Sequence, residues 1–219
     1  QGSQRPTIAN PQALRAAVRA VIGEVVEALR AFREHGTAGS VERYERLGNL
    51  PIKNWRQGAW PEGAARITGA RMTETILTGR YACAGCPIGC GREVEITEGR
   101  HAGVRGGGPE YETAGSLGSM CLIDDLEALA HLNEICNRLG MDTIAGGVVA
   151  FAMEARERGL WPGGPAWGDA DAAISLLEQI GRREGEIPTL LGEGTRRVAE
   201  VWGGLAREFA IHVKGLELP

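Results

Sequence analysis

The sequence predicts a mainly α protein, an irregular multi-helix domain with a Gly- and Cys-rich loop and at most one small β element. Residues 11–34, 124–139 and 143–158 carry apolar side chains at three- and four-residue spacing, as amphipathic helices do. Many of the 33 Gly residues lie between positions 79 and 118, where they favour tight turns. Residues 92–97 alternate polar and apolar and predict a short strand.

The clearest helix covers residues 11–34. Asn10 is a suitable N-cap, Pro11 is favoured at the first helical position, and Gly36 is a plausible stop. We expect this helix to pack against the core through one apolar face. That face consists of Leu14, Val18, Val21, Ile22, Val25, Leu29 and Phe32.

Shorter elements are predicted along the rest of the chain. Residues 48–80 are rich in Gly and Pro and predict a loop, with one or two helical turns over 71–77. We expect residues 1–219 to form a single helical domain, with the loops at 48–70 and 159–169 as the candidate boundaries. The other predicted elements are helices over 41–47, 109–119, 169 or 171 to 183, and 194–202, and an extended tail over 209–219.

Composition argues against two classes of partner. The net charge is −4 and the pI about 5.7, with Arg residues scattered among Glu residues, which argues against nucleic acid. No apolar run approaches the roughly 20 residues that span a bilayer. The N-terminus has neither an initiator Met nor a signal-peptide core, which predicts a trimmed chain or a piece of a longer one.

Three of the five cysteines form a C-x2-C-x3-C motif at Cys83, Cys86 and Cys90. An odd number of Cys with such clustering is a poor disulfide framework and favours thiolate–metal binding in a reducing cytoplasm. Thiolates suit iron–sulfur clusters and zinc. A cubane cluster needs a fourth ligand, which could be Cys121, Cys136 or a Cys outside the chain. Zinc is the serious alternative, although the four His residues show no zinc-finger spacing.

Two further segments are candidates for chemistry. Glu110 and Glu112 follow the cysteine loop, and a carboxylate held near a metal cofactor is a natural proton acceptor, although acidic residues also favour a helix start. Residues 137–142 join two helices. Asp142 can cap the second helix, whose free N–H groups could bind phosphate, but a plain helix–turn–helix joint explains the pattern equally.

Together these segments resemble the tungsten-containing aldehyde ferredoxin oxidoreductase family. The order and approximate spacing of the segments agree with the family over most of the chain. The matching text is LPIKNWRQG (50–58), CAGCPIGCG (83–91), GPEYET (108–113), LGS (117–119), NRLGMD (137–142), FAME (151–154) and VKGLELP (213–219).

The resemblance implies the middle helical domain of a larger oxidoreductase, without its N-terminal β domain and its last helical domain. The complete enzyme would oxidise aldehydes to carboxylic acids at tungsten or molybdenum held by two pterins. Electrons would pass through a [4Fe–4S] cluster to ferredoxin or another electron-transfer subunit. The partners implied are the remaining domains, that electron carrier and an aldehyde-type small molecule, and the isolated piece would be inactive.

The resemblance also implies roles for individual residues. Cys83, Cys86 and Cys90 would be cluster ligands, with the fourth ligand in the last domain. Glu112 would handle protons, with Glu110 as the fallback. The family's pterin-binding pattern would fall on Asn137, Gly140 and Asp142, where Asn137 replaces an Asp and weakens any charge-dependent contact.

Three alternatives stay open at this point. One is a zinc-binding helical interaction module. Another is a fragment of the molybdenum iron–sulfur oxidoreductases with guanine-dinucleotide pterins, which also use C-x2-C-x3-C. The third is a metal-free helical domain in which residues 79–108 are disordered because the partner domains are absent. In every case we expect a cytoplasmic protein.

Overall fold

The computed structural model of the chain describes residues 7–218. The N-terminal residues 1–6 and Pro219, on which the predictions about the chain start and the end of the tail fall, lie outside this part. Helices dominate, as predicted, and three short strands form a small sheet. The helices are α1 (Pro11–Ala28), α2 (Arg30–His35), α3 (Val41–Arg46), α4 (Pro61–Arg66), α5 (Gly69–Thr75), α6 (Tyr111–Thr113), α7 (Leu126–Leu139), α8 (Gly146–Glu157), α9 (Ala170–Arg182), α10 (Glu186–Leu191), α11 (Thr195–Trp202) and α12 (Ala206–Phe209). The strands are β1 (Leu77–Tyr81), β2 (Gly91–Glu95) and β3 (Arg105–Gly107).

Helix α1 begins as predicted, because the Asn10 side chain accepts a hydrogen bond from Ala13 N at 2.9 Å. A break at Leu29 separates it from α2, and Gly36 ends α2 at φ +67°. The expectation of packing is wrong for the described residues, since α1 contains no buried residue and Val21 is 53% exposed. The pattern places apolar residues on one face but does not say what covers that face.

The core lies around α7, α8 and α9. Asp125 caps α7 by accepting from Glu127 N and Ala128 N, and Gly140 ends it at φ +71°. Leu129 on α7 and Val149 on α8 are fully buried in the larger hydrophobic cluster. The smaller cluster is built from the other side of α8 together with residues of α9 to α12. These helices form the platform that carries the candidate site.

The sheet is antiparallel with the order β1-β2-β3. Tyr81 pairs with Gly91 and Glu93 with Gly107. The sequence predicted only the middle strand, because the glycines of β1 and β3 interrupt any alternation of polar and apolar residues. The expectation of disorder over 79–108 is contradicted at the three strands, which pair with one another through interstrand hydrogen bonds.

The segment predicted as a loop over residues 48–80 is in part a buried, strained turn. Lys53, Asn54 and Trp55 all have positive φ, at 49°, 50° and 62°, in a region that L-residues avoid. Asn54 is 2% exposed, and its Nδ2 donates to Glu154 Oε2 at 2.7 Å and to Phe209 O at 3.0 Å. Hydrogen bonds from a buried amide therefore hold the turn against α8. Sequence analysis also missed α4 and α10, which are short.

Further along the chain, the segment after Glu110 is helical as predicted but irregular. α6 continues into a π-helical turn over Ala114–Gly118 and a 3-10 turn over Ser119–Cys121. A π-helical turn of this kind often accompanies a functional site. In the described part of the chain, no helix is both long enough and apolar enough to cross a membrane.

Candidate metal and cofactor site

The three clustered cysteines lie in the hairpin loop 82–90 between β1 and β2. Gly85 and Gly89 turn the loop at φ +77° and +65°, and Cys86 N donates to Cys83 O at 2.9 Å. Cys83 is exposed, whereas Cys86 and Cys90 are half-buried. The loop therefore presents thiols at the surface of the described chain, on a base fixed by strand pairing.

The other two cysteines have a different environment. Cys121 and Cys136 are both 0% exposed within the helical core. Cys121 Sγ contacts Ser116 O at 3.4 Å and Gly146 O at 3.5 Å. Burial raises the pKa of both thiols, that of Cys136 to about 12. Both thiols are therefore protonated at neutral pH and poor metal ligands.

The described residues do not complete a metal site by themselves. Between residues 7 and 218, no three His, Cys, Asp or Glu side chains are grouped so that they could hold a metal ion. With Cys121 and Cys136 enclosed in the core, the loop can supply three thiols and the described chain offers no accessible fourth.

Arg92, which sequence analysis did not single out, begins the strand that leaves the cysteine loop. Its side chain is 1% exposed, and Nη2 donates to Phe32 O at 3.0 Å and Arg33 O at 2.7 Å. Within the described residues, its Nε and Nη1 have no hydrogen-bond partner. Buried and exposed positions alternate from Arg92 to Glu95 in β2, and Arg92 has a buried position. This alternation was the available sequence signal, but an Arg in such a pattern is normally interpreted as solvent-exposed.

Glu110 is held on the side of the cysteine loop. The Thr37 hydroxyl donates to Glu110 Oε2 and accepts from Tyr111 N, the latter at 2.8 Å. Burial raises the pKa of Tyr81, as do the nearby charges of Glu110, Cys83 and Cys90, so all these groups share one neighbourhood. Glu110 of the carboxylate segment thus lies near the cysteine loop.

Glu112 lies on the first turn of α6 and is exposed. The next residue, Thr113, joins α6 to the turn at the end of α7, because its Oγ1 lies 3.1 Å from Thr143 Oγ1. Ser116 Oγ donates to Thr143 O at 2.7 Å. The carboxylate segment therefore contacts Thr143, directly after the Gly–Met–Asp turn, while its Glu110 lies near the cysteine loop.

The three predicted pterin-binding residues lie at and after the end of α7, where Gly140 reverses the chain. Asp142 is exposed and caps the 3-10 turn Thr143–Ala145 by accepting from Ile144 N at 3.0 Å. It lines a largely apolar cavity of about 550 Å³. Asn137 lines a separate cavity of about 380 Å³ beside β3. Asn137 and Asp142 thus line different cavities.

Glu217, in the tail, is a second carboxylate on the larger cavity. Its Oε1 accepts from Thr195 N at 2.7 Å and from Thr195 Oγ1 at 3.0 Å, so that it caps α11. A lone Glu in a stretch predicted as extended gave no sequence signal for this contact. The tail therefore forms one wall of the cavity that Asp142 also lines.

Known proteins share sequence with this chain over most of its length. The family model described as aldehyde ferredoxin oxidoreductase, domains 2 and 3, matches residues 14–219. Tungsten-containing aldehyde ferredoxin oxidoreductases from Pyrococcus furiosus and Thermococcus kodakarensis are each 35% identical over 100% of this chain and 37% of their own length. An aliphatic sulfonate oxidoreductase WOR-like subunit from Pyrococcus furiosus is 30% identical over 86% of this chain and 32% of its own length.

The chain thus spans about a third of the length of the curated relatives it matches. The match covers the cysteine loop, the carboxylate segment and the Gly–Met–Asp turn in one continuous stretch. The chain belongs to the aldehyde ferredoxin oxidoreductase family.

Proposed function

We propose that this chain is the part of a tungsten- or molybdenum-pterin oxidoreductase that carries three ligands of a [4Fe–4S] cluster and a proton-accepting carboxylate. The complete enzyme oxidises an aldehyde to a carboxylic acid, with ferredoxin or another electron-transfer subunit as acceptor. The observation that carries this proposal is the position of the carboxylate segment. Its Glu110 shares the neighbourhood of Tyr81 with Cys83 and Cys90. At the end of the segment, Thr113 Oγ1 lies 3.1 Å from Oγ1 of Thr143, the residue after Asp142.

The residues present fit an anionic, thiolate-held cluster. Cys83, Cys86 and Cys90 are soft donors on one loop, at the surface of the described chain. Arg92 offers two unpartnered N–H-bearing nitrogens of a buried cation beside that loop. When bound, the cluster and the metal–pterin group supply the redox chemistry, and this chain supplies ligands, charge and proton transfer.

The pterin side of the site rests on Gly140 and Asp142. The left-handed turn at Gly140 and the cap made by Asp142 fix the backbone where Asp142 lines the larger cavity. Asp142 is exposed there and can accept hydrogen bonds from a polar ring system. Asn137 would bind from the neighbouring cavity as an amide, without the charge that the family pattern supplies.

Glu112 is the better candidate for the proton acceptor. Glu110 accepts the hydrogen bond of the Thr37 hydroxyl, which reduces the availability of its lone pairs. Glu112 is exposed on the adjacent turn and free to meet a hydrated aldehyde in the complete enzyme. Glu112 takes the proton released as the substrate is oxidised, and Glu110 orients the helix start through Thr37.

The test is a set of three substitutions in the complete enzyme. Glu112→Gln is expected to lower kcat by at least ~100-fold, as loss of a general base does, with iron and tungsten or molybdenum content unchanged. Glu95→Gln, at an exposed position of β2, is the matched control and should leave kcat unchanged. If Glu110→Gln abolishes turnover while Glu112→Gln does not, the fallback carboxylate is the proton acceptor.

The relatives are named for different substrate classes. One relative is named for aliphatic sulfonates rather than aldehydes. Turnover with short and aromatic aldehydes, in parallel with an alkyl sulfonate, distinguishes the two. Oxidation of the sulfonate alone would replace the aldehyde in this proposal and leave the site assignments in place.

A further inference from the structure

Arg92 is among the largest of the fully buried side chains in the described part of the chain. Its Nη2 reaches two carbonyl groups in the last turn of α2, those of Phe32 and Arg33. Those carbonyls form the partially negative end of a short helix and offset part of the charge. The other two guanidinium nitrogens, Nε and Nη1, have no partner among residues 7–218.

An enclosed cation with unsatisfied donors is costly unless an anion accompanies it. The effective penalty for burying one ion is several kcal/mol, which carbonyl groups at the end of a helix of six residues offset only in part. A neutral side chain of similar size would avoid this cost. The burial of Arg92 therefore suggests a compensating negative charge.

The neighbourhood of the guanidinium identifies where that charge lies. Cys90 precedes Arg92 by two residues, and the Cys90 carbonyl oxygen and the Arg92 side chain both lie beside Gly36. A Cβ at Gly36 would lie 2.7 Å from Arg92 Nε and 3.2 Å from Cys90 O. The Glu110 carboxylate is nearby but interacts with Thr37, and no ion pair joins it to Arg92 in the described residues.

Arg92 and Arg80, which follow and precede the cysteine loop in sequence, differ in exposure. Arg92 is 1% exposed. Arg80 is exposed on β1, where solvent screens its charge. Arg92 is thus a cation near the cysteine loop that water does not screen.

We propose that Arg92 supplies a fixed positive charge next to the ligand Cys90 and thereby raises the reduction potential of the cluster. This inference rests on the proposed function, because it requires the cluster. A cluster held by thiolates is anionic and gains one further negative charge on reduction. A buried cation favours the reduced form, and its removal should make electron uptake less favourable.

The experiment is an EPR redox titration of the complete enzyme, purified anaerobically, with variants at two arginines. Arg92→Met removes the charge, Arg92→Gln removes the charge but keeps a donor for the carbonyls of α2, and Arg92→Lys keeps the charge. We expect both neutral variants to show at least a tenfold higher oxidised-to-reduced ratio at a fixed potential, about 59 mV for a one-electron couple. Arg92→Lys and the exposed control Arg80→Met should stay within threefold of the wild type.

The outcomes separate this inference from the proposed function. Wild-type enzyme without iron and sulfide would refute the cluster itself. A cluster with unchanged potential in the neutral variants, or with equal shifts in Arg92→Lys and Arg92→Met, would overturn the role of the charge and leave the cluster intact. Folded neutral variants that lose iron while Arg92→Lys retains it support the charge. Failure of the neutral variants to fold would show that Arg92 serves the fold instead.

Discussion

The cysteine loop and the helical core show how environment divides one residue type into two roles. Cys83, Cys86 and Cys90 lie in a hairpin loop, exposed or half-buried. Cys121 and Cys136 lie in and beside the helices of the core with no exposed surface. Metal binding needs a thiolate, and burial without a neighbouring cation disfavours it. The difference supports the proposal that the three loop cysteines bind metal, and it makes the other two packing residues.

The largest expected effect is a loss of the cluster from the loop. Cys86→Ser in the complete enzyme replaces a soft ligand by a hard, protonated one. We expect iron and sulfide to fall below roughly a tenth of the wild-type content, as full ligation by cysteine is required. Cys136→Ser is the matched control and should retain both. Loss of iron in the Cys136 variant, with its fold intact, would contradict the assignment of Cys136 as a packing residue.

A second test compares thiol reactivity in the unloaded 219-residue chain. At pH 8, iodoacetamide should label Cys83, Cys86 and Cys90 at least roughly 100-fold faster than Cys121 and Cys136, because the core thiols are buried and protonated. Mass spectrometry of peptides measures each rate. Labelling of all five cysteines at similar rates would contradict the burial of the core pair, and labelling in urea should remove the difference.

A third test compares packing in the two regions. Leu129→Ala on α7 leaves a cavity where the side chain is 0% exposed, and should lower the free energy of unfolding by ~2–5 kcal/mol. Ile88→Ala in the cysteine loop removes a half-buried side chain and should cost less than ~1 kcal/mol. Urea denaturation of the 219-residue chain provides both values. Equal losses would mean that the loop is part of the core.

The smallest effect lies at the edge of the core, at Glu157. Hydrogen bonds from Lys53 and Arg56 lower the pKa of this carboxyl below its ordinary value of 4.5. A lowered carboxyl pKa adds stability above that value, and this stability is lost as the pH falls through the folded-state pKa. The side chain is 35% exposed, so its contribution at pH 7 should be at most ~1 kcal/mol.

Urea denaturation at pH 7 and below pH 4 checks this expectation. Glu157→Gln should lower stability at pH 7 and flatten its decline in acid. Glu200→Gln, whose carboxylate is 60% exposed and 3.9 Å from Arg196, should change neither. A steeper acid decline in the Glu157 variant than in the wild type would reverse the assigned sign.

Features that depend on neighbouring residues in the chain could be predicted from the sequence, whereas features that depend on tertiary contacts could not. Caps and stops are local, so Asn10 and Gly36 correctly marked helix ends. The cysteine spacing and the carboxylate segment were readable for the same reason. The apolar face of α1 was readable too, but its lack of a partner in the described chain depends on tertiary structure.

Long-range features escaped sequence reasoning. The proposed role of Arg92 depends on its burial against the end of α2. The spacing of residues in β2 does not indicate this contact. Asn54 holds a left-handed turn through contacts with Glu154 and Phe209, about a hundred or more residues away in sequence. Such positions are fixed by packing partners, and a single sequence does not name those partners.

We propose that Cys83, Cys86 and Cys90 hold an iron–sulfur cluster. Metal analysis of the complete enzyme is the strongest test of this proposal. Anaerobically purified wild-type protein should be brown and contain about four iron and four sulfide per chain, with an EPR signal after reduction that Cys86→Ser abolishes. A colourless protein with one zinc per chain and no sulfide would refute the iron–sulfur cluster and support the zinc-binding alternative.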